Sequence, residues 1–399
     1  MRDDLVERPL PINGETPHFR REIDEQPNVL AYTLAQFLGH NFQLKMNKPP
    51  LDDQSLKLIT KTYITGCGTS YHAGLTARYL IEELAQIPTV VEPASECGRH
   101  HLLVDETTLA VAVSQSGRSP ETLAALELAK KRGAQTLAVV NETDSPLTEA
   151  ARGTIFTLAG KVHSQASTKA FTTQSLVLAL MGLRLAQSRN LLRKEWRQEI
   201  ESFARIPELI REALMKNDLD HKVFEAAKLL NAYSQAFILA RGHLLPMALE
   251  GALKLKEVAK IHAEGYLVGE FGHGPLAMAG PRTPIIMFSF SDEQEAGNLA
   301  LALELKSRIA PLILITEDGL KKDKAVESVA DITLLLPQVP LRLRPMVSVI
   351  PLQLLAYYLG HTRGYDVDHP GGTLQPDLTR PARKPSRVKK GVNGTIIHS

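Results

Sequence analysis

The sequence predicts an α/β protein of two tandem parallel-sheet domains, each a flavodoxin-like αβα sandwich. The chain has 399 residues, which is more than a single hydrophobic core usually supports. Short apolar, β-rich runs alternate with longer helical patterns, as is typical of helices packed on a parallel sheet. The order of these runs in the first half returns in the second half, which indicates a duplicated domain.

Four apolar runs in the first half are predicted strands. They cover residues 62–65, 109–113, 136–140 and 154–158. The first leads through a glycine-rich loop into a helical stretch that reaches about residue 87. The second precedes a helix over 119–132, and the fourth leads through the polar segment 164–173 into a long apolar helix ending near Ala186.

The second half repeats this order with apolar runs at residues 236–239, 284–288, 312–315 and 332–336. Three pairs of strand ends correspond, each 175 positions apart: Ile64 with Leu239, Ser114 with Ser289, and Asn141 with Thr316. Three matches at one spacing favour duplication over coincidence.

The patterns divide the chain into five predicted segments. These are an N-terminal helical segment (1–54, with a helical run around 31–42), a first domain (55–190), a charged helical connector (191–221), a second domain (222–360) and a C-terminal tail (361–399).

Composition and motifs argue against several classes of protein. A formal net charge of +2 without a basic, aromatic-rich stripe gives no reason to expect nucleic-acid binding. Cys67 and Cys97 belong to no C-x-x-C or Cys/His cluster, so we expect a reducing compartment and no disulfide or zinc site. The charged N-terminus and the lack of a membrane-length apolar run predict a cytoplasmic protein. No P-loop, dinucleotide fingerprint, nucleophile elbow or metal-ligand spacing is present, and we expect no cofactor or metal.

Three hydroxyl-rich loops follow predicted strands of the first domain. They cover residues 66–70, 114–119 and 164–174. Ligands of open parallel sheets bind beyond the C-terminal ends of the strands, and Ser, Thr and Gln donors match phosphate and sugar oxygens. Helix N-capping could explain any one loop, but three at one sheet edge favour a phosphosugar site. The corresponding loops of the second domain, 240–243 and 289–292, carry fewer hydroxyls.

A predicted helix of the second domain, 246–260, carries three charged residues on one face. Glu250, Lys254 and Glu257 follow at i, i+4 and i+7, which places them on the same side. Such a pattern is often a solvent-exposed stripe of ion pairs. Here apolar residues at 249, 252, 253 and 255 leave little of the helix free, which favours a functional cluster.

The segment after this helix contains His273 between two glycines, which fits a mobile, exposed loop better than a core position. A carboxylate, a lysine and a loop histidine suit aldose–ketose interconversion. That reaction needs a base to carry a proton between C1 and C2, a donor to stabilise the enediolate, and an acid/base for ring opening.

At these residues the sequence resembles the isomerase half of the glutamine–fructose-6-phosphate aminotransferases (glucosamine-6-phosphate synthases), a pair of sugar isomerase (SIS) domains. The resemblance runs from about His18 to Pro370. The matching motifs are residues 18–27, 67–70, 114–117, 167–174, 250–257, 273–275, 352–356 and 366–368.

The resemblance implies a role for each matching residue. Glu257 is implied as the C1–C2 proton-transfer base, Lys254 as its assistant at the enediolate, and His273 as the ring-opening acid/base. In that family the histidine reaches the active site of the neighbouring subunit, which implies a homodimer. The residues implied to hold the sugar phosphate are Thr69, Ser70, Ser114, Gln115, Ser116, Ser119 and Ser167.

Three departures from the family pattern bear on the activity. The chain begins Met1-Arg2 without a cysteine nucleophile, so we expect no glutaminase domain. We therefore also expect that this chain does not produce ammonia from glutamine. Arg118 stands where the family usually has glutamate, as in the deaminase and deglycase branches. Gln375 stands near the family's Schiff-base lysine, which Lys384 could replace only if the tail folds back. Without that amine, imine catalysis at the ketone is unavailable.

Three interpretations remain open. The first is an aminosugar-phosphate isomerase or deaminase that acts on fructose-6-phosphate or glucosamine-6-phosphate and uses or releases free ammonia, with a separate ammonia source in the synthetic direction. The second is a deglycase that splits a 6-phosphofructosyl-amine. The third is a non-catalytic sugar-phosphate sensor, which would need the phosphate loops but not Lys254, Glu257 and His273 together.

Overall fold

A computed structural model describes residues 16–38, 53–191, 196–215, 218–290, 295–317 and 328–371. Gln375, Lys384 and the predicted tail beyond residue 371 lie outside the described residues. The strands are β1 Lys61–Gly66, β2 Thr89–Pro93, β3 Thr108–Ser114, β4 Gln135–Val140, β5 Gly153–Phe156, β6 Gln235–Ala240, β7 His262–Leu267, β8 Ile285–Phe288, β9 Leu312–Glu317 and β10 Ile332–Leu336.

Helices precede, connect and flank these strands. In chain order they are α1 His18–Asp24, α2 Gln26–Phe37, α3 Asp53–Lys57, α4 Thr69–Ala85, α5 Pro120–Lys131, α6 Pro146–Ala150, α7 Lys169–Ser188, α8 Trp196–Ala204, α9 Ile206–Met215, α10 Leu219–Leu230, α11 Leu245–Ala259, α12 Val268–Phe271, α13 Glu295–Ser307, α14 Arg344–Ser348 and α15 Ile350–Thr362.

The strands form two parallel five-stranded sheets with the same topology. The first has the order β2-β1-β3-β4-β5 and the second, read from its other edge, β7-β6-β8-β9-β10. All strand pairs are parallel. The predicted α/β class and the duplication are therefore confirmed.

The pairing registers do not preserve one constant offset between the two sheets. In the first, Lys61 pairs with Thr108, 47 positions later. In the second, Phe237 pairs with Ile285, 48 positions later. The two repeats therefore share one strand order, while the register between these strands differs by one residue.

Two strands, β2 and β7, were not predicted from the sequence, and both lie at sheet edges. β2 and β7 each pair on one side only, with β1 and β6. An edge strand has a partly solvated surface and tolerates polar residues, and β7 carries His262 and Glu264, both exposed. β5 also ends two residues before its predicted end, at Phe156, and Leu158 beyond it adopts a left-handed φ of 58°, which is incompatible with a strand.

The largest hydrophobic cluster runs through both halves of the chain and includes residues of α4, α7, α11 and α15. α4 packs on α7, α11 packs on α15, and α4 and α11 also contact each other. The two sheets are therefore joined through their helices, and the first helix of one repeat meets the first helix of the other. No helix in the described ranges is long and apolar enough to cross a membrane.

The two ends of the described chain meet beside the first sheet. The Asp368 carboxylate accepts hydrogen bonds from the His18 and Phe19 amides at 2.9 and 2.7 Å, and so caps the start of α1. The Asp368 carbonyl accepts from the Gln165 amide at 3.0 Å. The residues after α15 thereby tie α1 to the loop that precedes α7.

Candidate active site

The first predicted phosphate loop lies between β1 and α4. Gly68 has a φ of +52°, a left-handed conformation that glycine adopts without strain. This turn lets α4 begin directly at Thr69 and Ser70, so the first amides of α4 face the C-terminal edge of the sheet. That arrangement suits an anion.

The second loop lies between β3 and α5 and is folded on itself by its own hydroxyls. Ser114 Oγ accepts from the Gly117 amide at 3.0 Å and lies 3.5 Å from Ser119 Oγ. Gly117 has a φ of +66°, and a Cβ there would lie 2.2 Å from Ser145 Oγ, so no larger residue fits. The Arg118 amide donates to Ser116 Oγ at 3.3 Å.

The side chain of Gln115 points toward the neighbouring strand. Its side-chain Nε2 donates to Glu142 Oε1 at 3.3 Å, and the Gln115 backbone carbonyl accepts from the Asn141 backbone amide at 3.0 Å. Gln115 therefore lies at the ends of both β3 and β4, with its side chain half-buried.

The third loop, before α7, is held from outside the sheet. Glu22 of α1 accepts from the His163 and Ser164 amides at 2.6 and 3.3 Å. Lys169 Nζ donates to Glu25 Oε2 and to the Lys161 carbonyl, each at 2.7 Å. Ser167 is half-buried within this braced segment.

None of the three helices that follow these loops has a side-chain N-cap hydrogen bond. Their N-cap residues are Gly68, Ser119 and Thr168. Capping was the alternative explanation for so many Ser and Thr residues. N-capping by the residue before each helix therefore does not account for the hydroxyls of these three loops.

The charged face of α11 is buried rather than exposed. Glu250 and Lys254 have no solvent exposure, whereas the Glu257 side chain is 32% exposed. The exposed-stripe interpretation is thus wrong for the first two residues. Of these three side chains, only that of Glu257 is partly exposed to solvent.

The α11 cluster is completed by residues of α4. Lys254 Nζ contacts Glu257 Oε2 most closely, lies 3.4 Å from Glu250 Oε1, and donates to Thr69 Oγ1 at 3.2 Å. Glu250 accepts from Thr69 Oγ1 at 3.0 Å and pairs with His72 Nδ1 at 2.7 Å. The structure thus brings predicted phosphate-loop and predicted catalytic residues from opposite halves of the chain into one network.

His72 is a site residue that the sequence analysis missed. It lies three positions after Thr69 on α4, so both project from the same face. That spacing was visible in the sequence, but nothing local indicated that a carboxylate 178 positions away faces it.

Electrostatic coupling keeps both buried groups charged. Burial acts to raise the pKa of the Glu250 carboxyl, but the Lys254 ammonium and the hydrogen bonds from His72 and Thr69 outweigh it, so that pKa lies below its usual value. Burial acts to lower the pKa of Lys254, but the Glu250 and Glu257 carboxylates outweigh it and raise that pKa. An ammonium is therefore held beside Glu257 over a wide pH range.

His273 stands apart from this network. It is exposed, in the turn between α12 and the 3₁₀ turn Pro275–Met278. Among the described residues its ring has no hydrogen bond or ion pair with the α11 cluster. His273 is exposed on a loop, as predicted. Within one chain it makes no described contact with Glu257.

The arrangement defines a class of protein: a duplicated parallel-sheet fold whose first repeat has hydroxyl-rich loops at the end of its sheet and whose second repeat has a charged helix face packed against them. The SIS domain family matches residues 57–184 and 228–362, and the chain belongs to that family.

More particularly, the chain is homologous to the isomerase half of glutamine–fructose-6-phosphate aminotransferase. It is 37% identical to the isomerizing enzyme of Clostridium tetani over 360 residues, which cover 90% of this chain and 58% of that protein. The C-terminal domain of glucosamine-fructose-6-phosphate aminotransferase from Francisella tularensis shares 35% identity at a TM-score of 0.81, covering 90% of this chain and 99% of that one. A glucosamine-6-phosphate deaminase from Thermotoga maritima, at 24% identity and a TM-score of 0.66 over 88% of this chain and 96% of that one, shares the fold.

Proposed function

We propose that the protein is an aminosugar-phosphate isomerase or deaminase acting on fructose-6-phosphate or glucosamine-6-phosphate, with free ammonia as reactant or product. The observation that carries the proposal is the contact of Lys254 with both Thr69 and Glu257. It puts an ammonium and a solvent-accessible carboxylate next to a loop suited to phosphate. The activity for which the relatives are named, glutamine–fructose-6-phosphate aminotransfer with isomerization, supports the same chemistry.

In this proposal the hydroxyl loops of the first domain fix the phosphate. Their donors come from the ends of β1 and β3 and from the braced segment before α7. Phosphate oxygens would accept from the α4 amides and from neutral hydroxyls, which bind an anion without a strong local charge. The binding residues are Thr69, Ser70, Ser114, Gln115, Ser116, Ser119 and Ser167.

Glu257 is the proposed base. In the deaminase direction it removes the proton from C2 of open-chain glucosamine-6-phosphate and returns it to C1, which converts the 2-amino aldose into a ketose imine. Water then adds to C2 and ammonia leaves, which gives fructose-6-phosphate and balances the reaction. The Lys254 ammonium stabilises the negative charge that develops on the substrate during proton transfer.

His273 is the proposed acid/base for ring opening. Its exposed position is compatible with a site completed across a homodimer, with the histidine of one subunit near Glu257 of its partner. Histidine suits this step because its ordinary pKa lies near neutral pH.

Replacement of Glu257 tests the assignment. Glu257→Gln keeps the side-chain shape and removes the base, so turnover should fall by at least about 1000-fold while sugar-phosphate binding persists. Glu304→Gln, an exposed change on α13, is the matched control and should retain full activity. A fully active Glu257→Gln enzyme would show that another group is the base.

A substrate panel distinguishes the remaining activities. The purified protein is incubated with glucosamine-6-phosphate, with fructose-6-phosphate plus ammonium, and with 6-phosphofructosyl-amines. Ammonia release from the first, or glucosamine-6-phosphate formation from the second, supports the proposal. Amine release from the third alone would show a deglycase, and binding without turnover of any would show a sensor.

A further inference from the structure

The Thr69 hydroxyl forms two hydrogen bonds that join the two halves of the chain. It donates to Glu250 Oε1 at 3.0 Å and accepts from Lys254 Nζ at 3.2 Å. A threonine hydroxyl has a single proton to donate. While that proton points to Glu250, it cannot also point to an anion in the loop at the start of α4.

Glu250 competes strongly for this proton. Its carboxylate has no solvent exposure, and its partners are Thr69, His72 Nδ1 at 2.7 Å and Lys254 Nζ at 3.4 Å. A buried carboxylate that loses a donor bears a desolvation penalty. If Thr69 turned away, Glu250 would depend more on His72 and on Lys254.

We propose that a phosphate group bound at the α4 loop takes the Thr69 proton from Glu250, and that Glu250 then draws Lys254 away from Glu257. This coupling rests on the proposed function, in which Thr69 binds phosphate and Glu257 is the base. Glu250 and His72 are positioning residues in it, since neither needs to touch the sugar.

The consequence for catalysis follows from the contact between Lys254 and Glu257. A carboxylate held by an ammonium is a poorer proton acceptor than one that is less tightly paired. Withdrawal of Lys254 toward Glu250 would make Glu257 a stronger base when phosphate occupies the loop. A substrate carrying phosphate would thereby activate the base, whereas a sugar without phosphate would not.

A double-mutant cycle on the full chain tests this coupling, with inorganic phosphate as the probe and calorimetry as the readout. Thr69→Val should weaken phosphate binding about tenfold, because it removes a donor. Glu250→Gln should tighten phosphate binding about tenfold, because a neutral amide competes less for the Thr69 proton. In the Thr69→Val background the Glu250→Gln change should lose most of this effect.

Glu257→Gln is the control for charge. It removes one negative charge from the same cluster, but Glu257 has no described hydrogen bond to Thr69. Equal tightening by Glu250→Gln and Glu257→Gln, or an equal effect of Glu250→Gln with and without the Thr69 hydroxyl, would overturn the coupling and leave the phosphate site intact. Failure of the wild-type protein to bind phosphate would overturn the phosphate site and the proposed function as well.

Variants of His72 provide a test that keeps the Glu250 side chain in place. His72→Ala removes one donor to Glu250, so Glu250 should retain Thr69 more strongly and phosphate should bind about threefold more weakly. His72→Asn supplies an amide donor and should restore most of the affinity. A purely structural role would lower the unfolding midpoint in both variants without this pattern, and unchanged phosphate affinity in His72→Ala would contradict the coupling.

Turnover gives an independent readout once a substrate is known. In Thr69→Val the donor to Glu250 is absent with or without phosphate, so Glu250 should hold Lys254 permanently, and turnover of the sugar that lacks phosphate should rise above its wild-type value. A hydroxyl that only contacts phosphate would leave turnover of that sugar unchanged, which is the result that would refute the coupling.

Discussion

Lys254 is a fully buried ammonium whose described partners are two carboxylates and a hydroxyl. Moving a charge out of water is costly unless it is paired and hydrogen-bonded. Glu250 and Thr69 meet that need from within the protein, and Glu257 meets it from the solvent side. The side chain that orders the site is therefore also one on which folding depends.

Replacement of Lys254 should reveal this dependence. Lys254→Met leaves Glu250 buried without its ammonium and should lower the free energy of unfolding by about 3 kcal/mol at pH 7. The control is Lys256→Met on the exposed side of the same helix, which should change it by less than about 0.5 kcal/mol. Urea unfolding measures both values.

The pH dependence of that loss has a definite sign. In the wild type the pKa of Glu250 is lowered by folding. The carboxylate therefore contributes fully to the free energy of unfolding above the glutamate pKa of the unfolded chain, about 4.3. This contribution is lost as the pH falls through the pKa of the folded state. Without Lys254, burial should raise the Glu250 pKa, so the variant gains stability relative to wild type on acidification from pH 7 to pH 5. A loss that stays constant over this range, or matches that of Lys256→Met, would contradict the assignment.

At the scale of elements, the position of α11 is set by the close approach of β7. Gly265 of β7 lies against the backbone of α11: a Cβ at this position would lie 2.6 Å from the Ala248 carbonyl carbon and 2.6 Å from the Leu249 amide nitrogen. Backbone atoms cannot be displaced by a rotamer change. The edge strand that the sequence analysis missed is thus the surface on which the helix carrying Glu250, Lys254 and Glu257 rests.

Gly265→Ala should therefore affect both stability and catalysis. Overpacking of this kind should lower the free energy of unfolding by about 2 kcal/mol. Displacement of α11 should lower the turnover of the protein as well. Gly280→Ala is the matched control, because a Cβ there meets no atom within 4 Å. Denaturant unfolding and a turnover assay are the measurements. Wild-type stability and activity in Gly265→Ala would show that the helix can move without consequence.

At the scale of the whole molecule, the two repeats differ in chemistry although their sheets share one strand order. The first provides loops with hydroxyls, and the second provides the charged face of α11. They meet because α4 and α11, the first helices of the two repeats, pack on each other. His273 remains exposed on the second repeat.

Mixed dimers test whether the site is shared between subunits. Glu257→Gln and His273→Ala are each expected to be inactive, but a dimer containing one of each would have one site with both groups intact. Random pairing at equal amounts should restore about a quarter of wild-type activity. Co-expression with two affinity tags isolates the mixed dimers. Mixed dimers without activity would show that both groups serve the same subunit's site.

Much of the fold could be predicted from the sequence because periodicity records which residues are buried. Eight of the ten strands among the described residues, and the helix bearing Glu250, Lys254 and Glu257, were predicted in this way. The two missed strands are edge strands, where partial solvation weakens the apolar signal. The domain boundaries at 55–190 and 222–360 and the roles of the site residues stay predictions.

The amino-acid sequence is enough to predict a duplicated α/β protein with hydroxyl loops in one repeat and a charged helix face in the other. The contacts of Thr69 and His72 with Glu250 and Lys254, which lie 178 to 185 positions away along the chain, are seen in the folded structure alone. Local spacing fixes which side of a helix is charged, but not which distant helix covers it. That choice is made by packing between the two repeats, where a buried charge must find its partners.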